Sequence, residues 1–315
     1  MVPPAEPTRC DVSAEQFATL FRTLSTWGRW GDADERGALH HLSPERVAAA
    51  ARLVRDGITI SLSWPLDTVA AAHNPNPADH HMTAYPDADT TPGSPQFARD
   101  YIGVDFHSPT HTHIDALCHV AHDGMLYNGT PANVVGSGGA PAESIEVVKD
   151  GLVGRGILLD IPRLRGVQWL EPGEAVDHDE LEAAETEEGV SVGAGDVLLV
   201  RTGHGRRLAE LGPWDTSNAM AGLRPTALTF LADRSVAALG CDGNNDTAPS
   251  TTEGVGFPIH VLAITAMGVH LLDYLQLEDL AAACDRSGRW EFFFLAAPLR
   301  ITGGTGSPLN PIAIL

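Results

Sequence analysis

A single domain of mixed α/β class is what the 315 residues predict, on three observations. Short apolar runs suited to buried strands recur: GILLDI at 156–161, GDVLLVR at 195–201, VAALGCD at 236–242 and WEFFFLAAPLRI at 290–301. They alternate with segments of helical periodicity, but irregularly, so the pattern is α+β or α/β without a chain of clean βαβ units. No repeat or low-complexity linker divides the chain, and its length suffices for one substantial core.

Taken in order, Ser13 and Gln16 make a capping box, and Phe17, Leu20, Phe21 and Leu24 recur at helical spacing, which predicts a helix over 13–24. WGRWGDADERGALHHL at 27–42 reads as an ordered loop. Ser43 as a cap and Pro44 at the first position open a second helix that should end at Gly57, and 58–62 alternates as a strand. Residues 1–58 thus read as a helical extension packed on a domain of residues 59–315. From 65 to 96 the chain is rich in Pro, Asp, His and Thr and carries no secondary-structure signal, the mark of a lid or a solvated loop. His73, His80 and His81 lie there. The turn-rich stretch at 122–140 should wall a pocket, with Tyr127 and Asn128 as candidate substrate contacts. Further helices are expected at 179–187, which is acidic, at 225–234, at 260–268 from His260 to Gly268, and at 277–284.

Composition excludes several chemistries. A net charge of −21 argues against nucleic acid, because nothing would neutralise a phosphate backbone. Lys149 is the only lysine, which disfavours Schiff-base and P-loop chemistry. No G-x-S-x-G stands at a strand-to-helix elbow, since GVSVG at 189–193 precedes a strand run, and no G-x-G-x-x-G follows a strand. No apolar run reaches membrane-spanning length, and MVPPAEPTRC lacks the pattern of a leader peptide, so a cytoplasmic protein is expected. Cys10, Cys118, Cys241 and Cys284 are widely spaced and read as reduced, mostly buried thiols.

What remains is a metal. DFHSPTHTHIDALCHVAHDG at 105–124 holds five of the fourteen histidines. If 111–115 is extended, as Thr110, Thr112 and Ile114 favour, side chains two apart share a face, and His111, His113 and Asp115 converge. Two imidazoles and a carboxylate suit Zn²⁺, Mn²⁺ or Fe²⁺. His107 joins them if the strand begins that early. His119, four residues beyond Asp115, is the candidate proton carrier, and Cys118 should face away. Asp242 closes a strand at a pocket mouth and is a further catalytic candidate, ahead of Asp246; the competing role for Asp242 is a turn or cap. Trp27, Trp30 and Phe106 are available to line a pocket for an aromatic substrate.

THIDALCH resembles the signature H-x-G-T-H-x-D-x-x-x-H of the metal-dependent cyclase and hydrolase family that includes bacterial kynurenine formamidase and isatin hydrolase. The match aligns Thr112, His113, Asp115 and His119, and puts the family's first histidine on Pro109. His111 or His107 is the substitute; a second frame, with His107 and His111 as the two histidines, puts His113 where the Asp belongs. GDVLLVRTG and the closing GGTGSPLNPIAIL are similar to family segments, as are His260, Gly268 and Asp273, where the family usually has Glu. The resemblance implies a swivelling β/β/α fold with a barrel-like mixed sheet, a homo-oligomer, and His260 and Asp273 as distal metal ligands. It also implies a small-molecule substrate whose amide, lactam or N-formyl C–N bond is hydrolysed with Zn²⁺ or Mn²⁺. A cyclase, dehydratase or lactone hydrolase is the alternative, and a non-catalytic metal- or ligand-binding protein the third reading. Because Asp273 is shorter than Glu and Pro109 removes a histidine, a single ion is expected, with His260 and Asp273 in supporting positions.

Overall fold

The computed structural model describes residues 11–86 and 94–315; the first ten residues, with the leader-free reading and Cys10, lie outside it. In chain order, α1 (Ala14–Leu24) and α2 (Pro44–Ala50) precede β1 (Thr59–Ser61), β2 (Asp79–Ala84), β3 (Arg99–Gly103), β4 (His113–Asp115) and β5 (Leu152–Asp160). There follow α3 (Ile161–Arg165), β6 (Ala175–Val176), α4 (His178–Glu187), β7 (Val197–Arg201), α5 (His204–Leu211), β8 (Gly222–Leu223), α6 (Leu228–Arg234) and β9 (Ala238–Cys241). The chain closes with α7 (Pro258–His260), β10 (His270–Asp273), α8 (Glu278–Ser287), β11 (Glu291–Ala296), β12 (Gly306–Pro308) and β13 (Ile312–Ile314).

Nine strands form one mixed, strongly curled sheet in the order β1-β13-β11-β5-β7-β9-β10-β4-β12, a half-barrel in a single α/β domain. Its centre, β5-β7-β9-β10, is parallel and both flanks are antiparallel. Parallel strands need cover on both faces, which is why the central runs are continuously apolar. Leu198 and Val200 of β7 enter one core while Val197 and Leu199 enter the other. Helices α1, α4 and α6 cover the first face, and α8 with Phe292 and Phe294 the second.

Local rules account for the helix starts. The Ser13/Gln16 box caps α1, Ser43 and Pro44 open α2, and Asp177 with Glu180 caps the acidic α4. Four expectations are corrected. The second helix stops at Ala50, passes through a tight turn at Ala51–Leu53 and never reaches Gly57. Residues 79–84 are a strand: β2 pairs antiparallel with β3 in a two-stranded arm that apolar periodicity could not reveal, since nearly all of it is exposed. α5 and β10 were not anticipated, β10 because its HLLD run sits between two helical signals. The helix opened by His260 starts at Pro258 and widens directly into a π-turn over Val261–Ala266.

Candidate metal centre

β4 sits between β10 and β12, pairing His113 with Asp273 and Asp115 with Gly306. Ile114 and Leu272 point into the core beneath. Side chains alternate along a strand, so His113, Asp115 and Asp273 face the opposite side, where the His260 turn crosses. Gly306 is needed there: a Cβ would lie 2.4 Å from the Ile114 carbonyl oxygen and 3.0 Å from His107 Cε1.

At the centre is Asp115, with no solvent exposure. One of its oxygens is 3.0 Å from His107 Nδ1, 3.5 Å from His113 Nε2 and 4.0 Å from His119 Nε2, and the other is 3.5 Å from His260 Nε2. Burial alone would raise its carboxyl, but His119, His107, His260 and His113 hold it well below the usual carboxylate range. Despite these neighbours neither oxygen takes a hydrogen bond. A buried carboxylate ringed by imidazole nitrogens and left unbonded is the arrangement a cation completes.

The histidines are held accordingly. His113 Nδ1 donates to the His111 carbonyl at 2.7 Å, His260 Nδ1 is 2.6 Å from Asp246 Oδ2, and His107 Nε2 is 3.0 Å from Thr305 Oγ1. In each ring the outer nitrogen is engaged and the inner one is free toward the carboxylates, the usual support of a metal-ligating histidine. Asp273 Oδ2 is 3.3 Å from His260 Nε2 and 3.8 Å from His113 Nε2, and its Oδ1 accepts from Asn245 Nδ2. Two potential ligand groups result, His107–His113–Asp115 and Asp115–His260–Asp273, sharing Asp115.

The structure therefore brings together His107, His113, Asp115, His260 and Asp273. His111 is not among them: β4 begins only at His113, and the buried His111 ring belongs to neither group. The case for a single ion rested on the short Asp273 side chain and on the histidine lost at Pro109; Asp273 Oδ2 is nonetheless within 4 Å of both His113 Nε2 and His260 Nε2. His119 is beside the ligands: its ring stacks on His107 and lines the cavity, and burial lowers its pKa to about 4, leaving it neutral. Cys118 is buried against the Gly304 carbonyl, away from the centre.

Other candidates are placed elsewhere. Asp242 is a cap: its carboxylate accepts from the Thr202, Gly203 and His204 amides and the Thr202 hydroxyl, which anchors the start of α5. Asp246 lies beside the centre, accepting from the Ile259 and His260 amides while holding the His260 ring. Tyr127 and Asn128 tie down the 27–42 loop through Asp34, Gly28 and Gly31. Trp27 bonds the Thr265 carbonyl and Trp30 stacks on His40, while Phe106 backs His107. His73, His80 and His81 sit beside Asp67, Asp100 and Asp79. Thr305, Asn245 and Gly306 were missed; nothing in a lone Thr, Asn or Gly marks such a partner.

The centre opens into a cavity of about 530 Å³, walled on its apolar side by Val120, Val255, Phe257, Val261 and Tyr274. Tyr274 has φ +53°, in the left-handed region, and this turn lets it face the cavity directly after Asp273.

The family model described as putative cyclase matches residues 43–245. The chain belongs to the putative cyclase family. A crystal structure of a novel cyclase is 33% identical, covers 94% of this chain and 99% of its own, and superposes with a TM-score of 0.85. Isatin hydrolase bound to the product analogue thioisatinate is 21% identical, with a TM-score of 0.59 and coverage of 87% and 99%. Isatin hydrolase A from Ralstonia solanacearum is 23% identical, with a TM-score of 0.58 and coverage of 86% and 95%. These two share the fold of this cyclase-family chain. No curated protein matches it. No helix among the described residues is long and apolar enough to cross a membrane.

Proposed function

We propose that this putative-cyclase-family chain is a metal-dependent hydrolase of a C–N bond in a small amide, lactam or N-formyl compound. The observation that carries it is Asp115, buried, unbonded and shared by two His/Asp groups at the foot of a cavity. His107, His113 and Asp115 would hold one divalent ion, Zn²⁺ or Mn²⁺, and His260 and Asp273, with Asp115, a second. When bound, such an ion supplies Lewis acidity that polarises a carbonyl and acidifies water. His119, neutral and on the cavity wall, would take a proton from water at Nε2 and return it to the leaving nitrogen. Stacking on His107 fixes that ring, and Asp246 fixes His260. The apolar wall excludes water and receives the body of the substrate.

A second reading, cyclisation or dehydration, draws on the family description and on the 33% identical cyclase. Assembly with further copies of the chain and a cytoplasmic location belong to the same proposal. The test is protein loaded with Zn²⁺ or Mn²⁺ and assayed on formanilide, isatin and a γ-lactone, with sedimentation to give the assembly. Opening of formanilide or isatin supports C–N hydrolysis. Turnover of the lactone alone redirects the assignment, and inertness of the loaded protein toward all three sinks it.

A further inference from the structure

Behind Pro109 and Tyr274, which wall the main cavity, lies a second cavity of about 190 Å³. Its remaining walls include Trp64, His204, Leu208 and the His73–Asp67 pair. Gly205 helps to shape it: a Cβ there would lie 2.8 Å from Trp64 Cζ2, so only a glycine lets the first turn of α5 seat against the indole without displacing it. The His204 ring lies 4.9 Å from Trp214 and 6.1 Å from Tyr274, centroid to centroid.

The polar groups here are unfinished. His204 Nδ1 and His73 Nδ1 are both buried and take no hydrogen bond. Burial lowers the pKa of His204 to about 4, so its ring is neutral at pH 7. Buried nitrogens without partners are uncommon in native interiors and call for a ligand or ordered water. No Lys or Arg lines this cavity among the described residues, so nothing there compensates an anion. Trp64 and Tyr274 offer flat faces. A cavity of about 150 Å³ is enough for benzene, so this one admits a substituted ring or a compact fused pair.

We propose that the second cavity is a binding site for a flat, uncharged aromatic molecule with an N–H or O–H group, held between Trp64 and Tyr274 and bonded to His204. It is separate from the hydrolytic chemistry but not indifferent to it. Tyr274 follows Asp273, its carbonyl accepts from Thr112 Oγ1 at 2.6 Å, and its ring lies 6.3 Å from that of His113. An occupant therefore presses on the wall of the metal centre.

Indole is the probe, with naphthalene as the flat molecule that lacks a donor. Titration of the full-length protein followed by NMR, and crystals soaked in indole, should show saturable binding with a Kd at or below about 1 mM, and density between the two rings. Leu208→Trp, which fills the cavity, should abolish binding. His204→Phe keeps the ring and removes the nitrogens, so it should weaken indole roughly 2–12-fold, the worth of one hydrogen bond, and leave naphthalene unchanged. A soaked cavity holding ordered water only, or indole affinity unaltered in both variants, overturns the proposal. Thermal melting identifies a Leu208→Trp protein that fails to fold, and His204→Phe then decides alone.

Discussion

The imidazole rings of His107 and His119 stack face to face, 3.8 Å between centroids and within 2° of parallel. A ligand ring thus fixes a ring that is 4.0 Å from the shared carboxylate without belonging to either ligand group. His119→Ala should keep its metal and lose about 10²–10⁴-fold in turnover, the range for a missing general acid–base. Metal content and single-turnover rates are the readout. Loss of metal would make His119 a ligand, and unchanged turnover would leave it structural.

Metal content also separates the two frames of the histidine motif. His107→Ala, His113→Ala and Asp115→Ala should each lose bound metal while remaining folded, and His111→Ala should retain it. Gly306→Ala should lower affinity without replacing a ligand, because the added methyl would sit 2.4 Å from the Ile114 carbonyl oxygen and 3.0 Å from His107 Cε1. Full metal retention in His107→Ala would place the first ligand elsewhere.

Metal uptake should depend on pH through His260. Burial would lower its pKa, but Asp273, Asp115 and Asp246 raise it well above the ordinary histidine value. A ligating imidazole must be neutral, so binding expels a proton and protons compete below the raised pKa. Affinity should fall by up to about tenfold per pH unit there. Titration in weak buffer should record proton release; an affinity constant over roughly pH 6–9 contradicts it.

Away from the centre, Glu188 governs a stability trend. Burial, then the charge of Asp160, push its carboxyl up to about 8; Oε1 accepts the Asp160 amide at 2.7 Å while Oε2 has no partner. The folded chain holds a proton that the unfolded chain gives up near 4.5, the ordinary value for a glutamate. Folded stability is therefore greatest at low pH for this group, falls as pH rises from 4.5 toward 8, and levels beyond. The loss is on the order of a few kcal/mol, at about 1.4 per pH unit. Glu188→Gln should flatten that decline in urea melts; an unchanged slope refutes the assignment.

Substrate charge offers a further test. Among the described residues lining the main cavity there is no Lys or Arg. Formanilide should be preferred over 4-formamidobenzoate by roughly tenfold or more in kcat/KM, since the carboxylate, on the ring's far side from the formyl group, meets no Lys or Arg. Ser217→Arg, at the exposed rim, should narrow the gap. Equal rates on both compounds would show that the cavity does not select on charge.

Much of this was legible in the sequence where residues act locally. Capping boxes, apolar strand runs and the His113–Asp115–His119 spacing each carry their own signal. His111 misled because the two-residue period was extended past the first residue of β4, where the strand had not begun. Asp242 ranks ahead of Asp246 in the sequence because it closes the strand, yet it is Asp246 that meets His260, since only the crossing of the His260 turn distinguishes a cap from a histidine support. Thr305 reaches His107 from almost two hundred positions away, and no periodicity records such a contact.

The strand that bears His113 and Asp115 has no neighbours of its own age. Both ladders that hold it come from far later in the sequence: β10 through Asp273 and β12 through Gly306. During synthesis the histidine motif leaves the ribosome long before β10 and β12 and must wait for both before its strand is paired. The second group, which needs His260 and Asp273, therefore cannot form early. A product cut short before β12 would carry the whole motif and still lack the strand that seats Asp115.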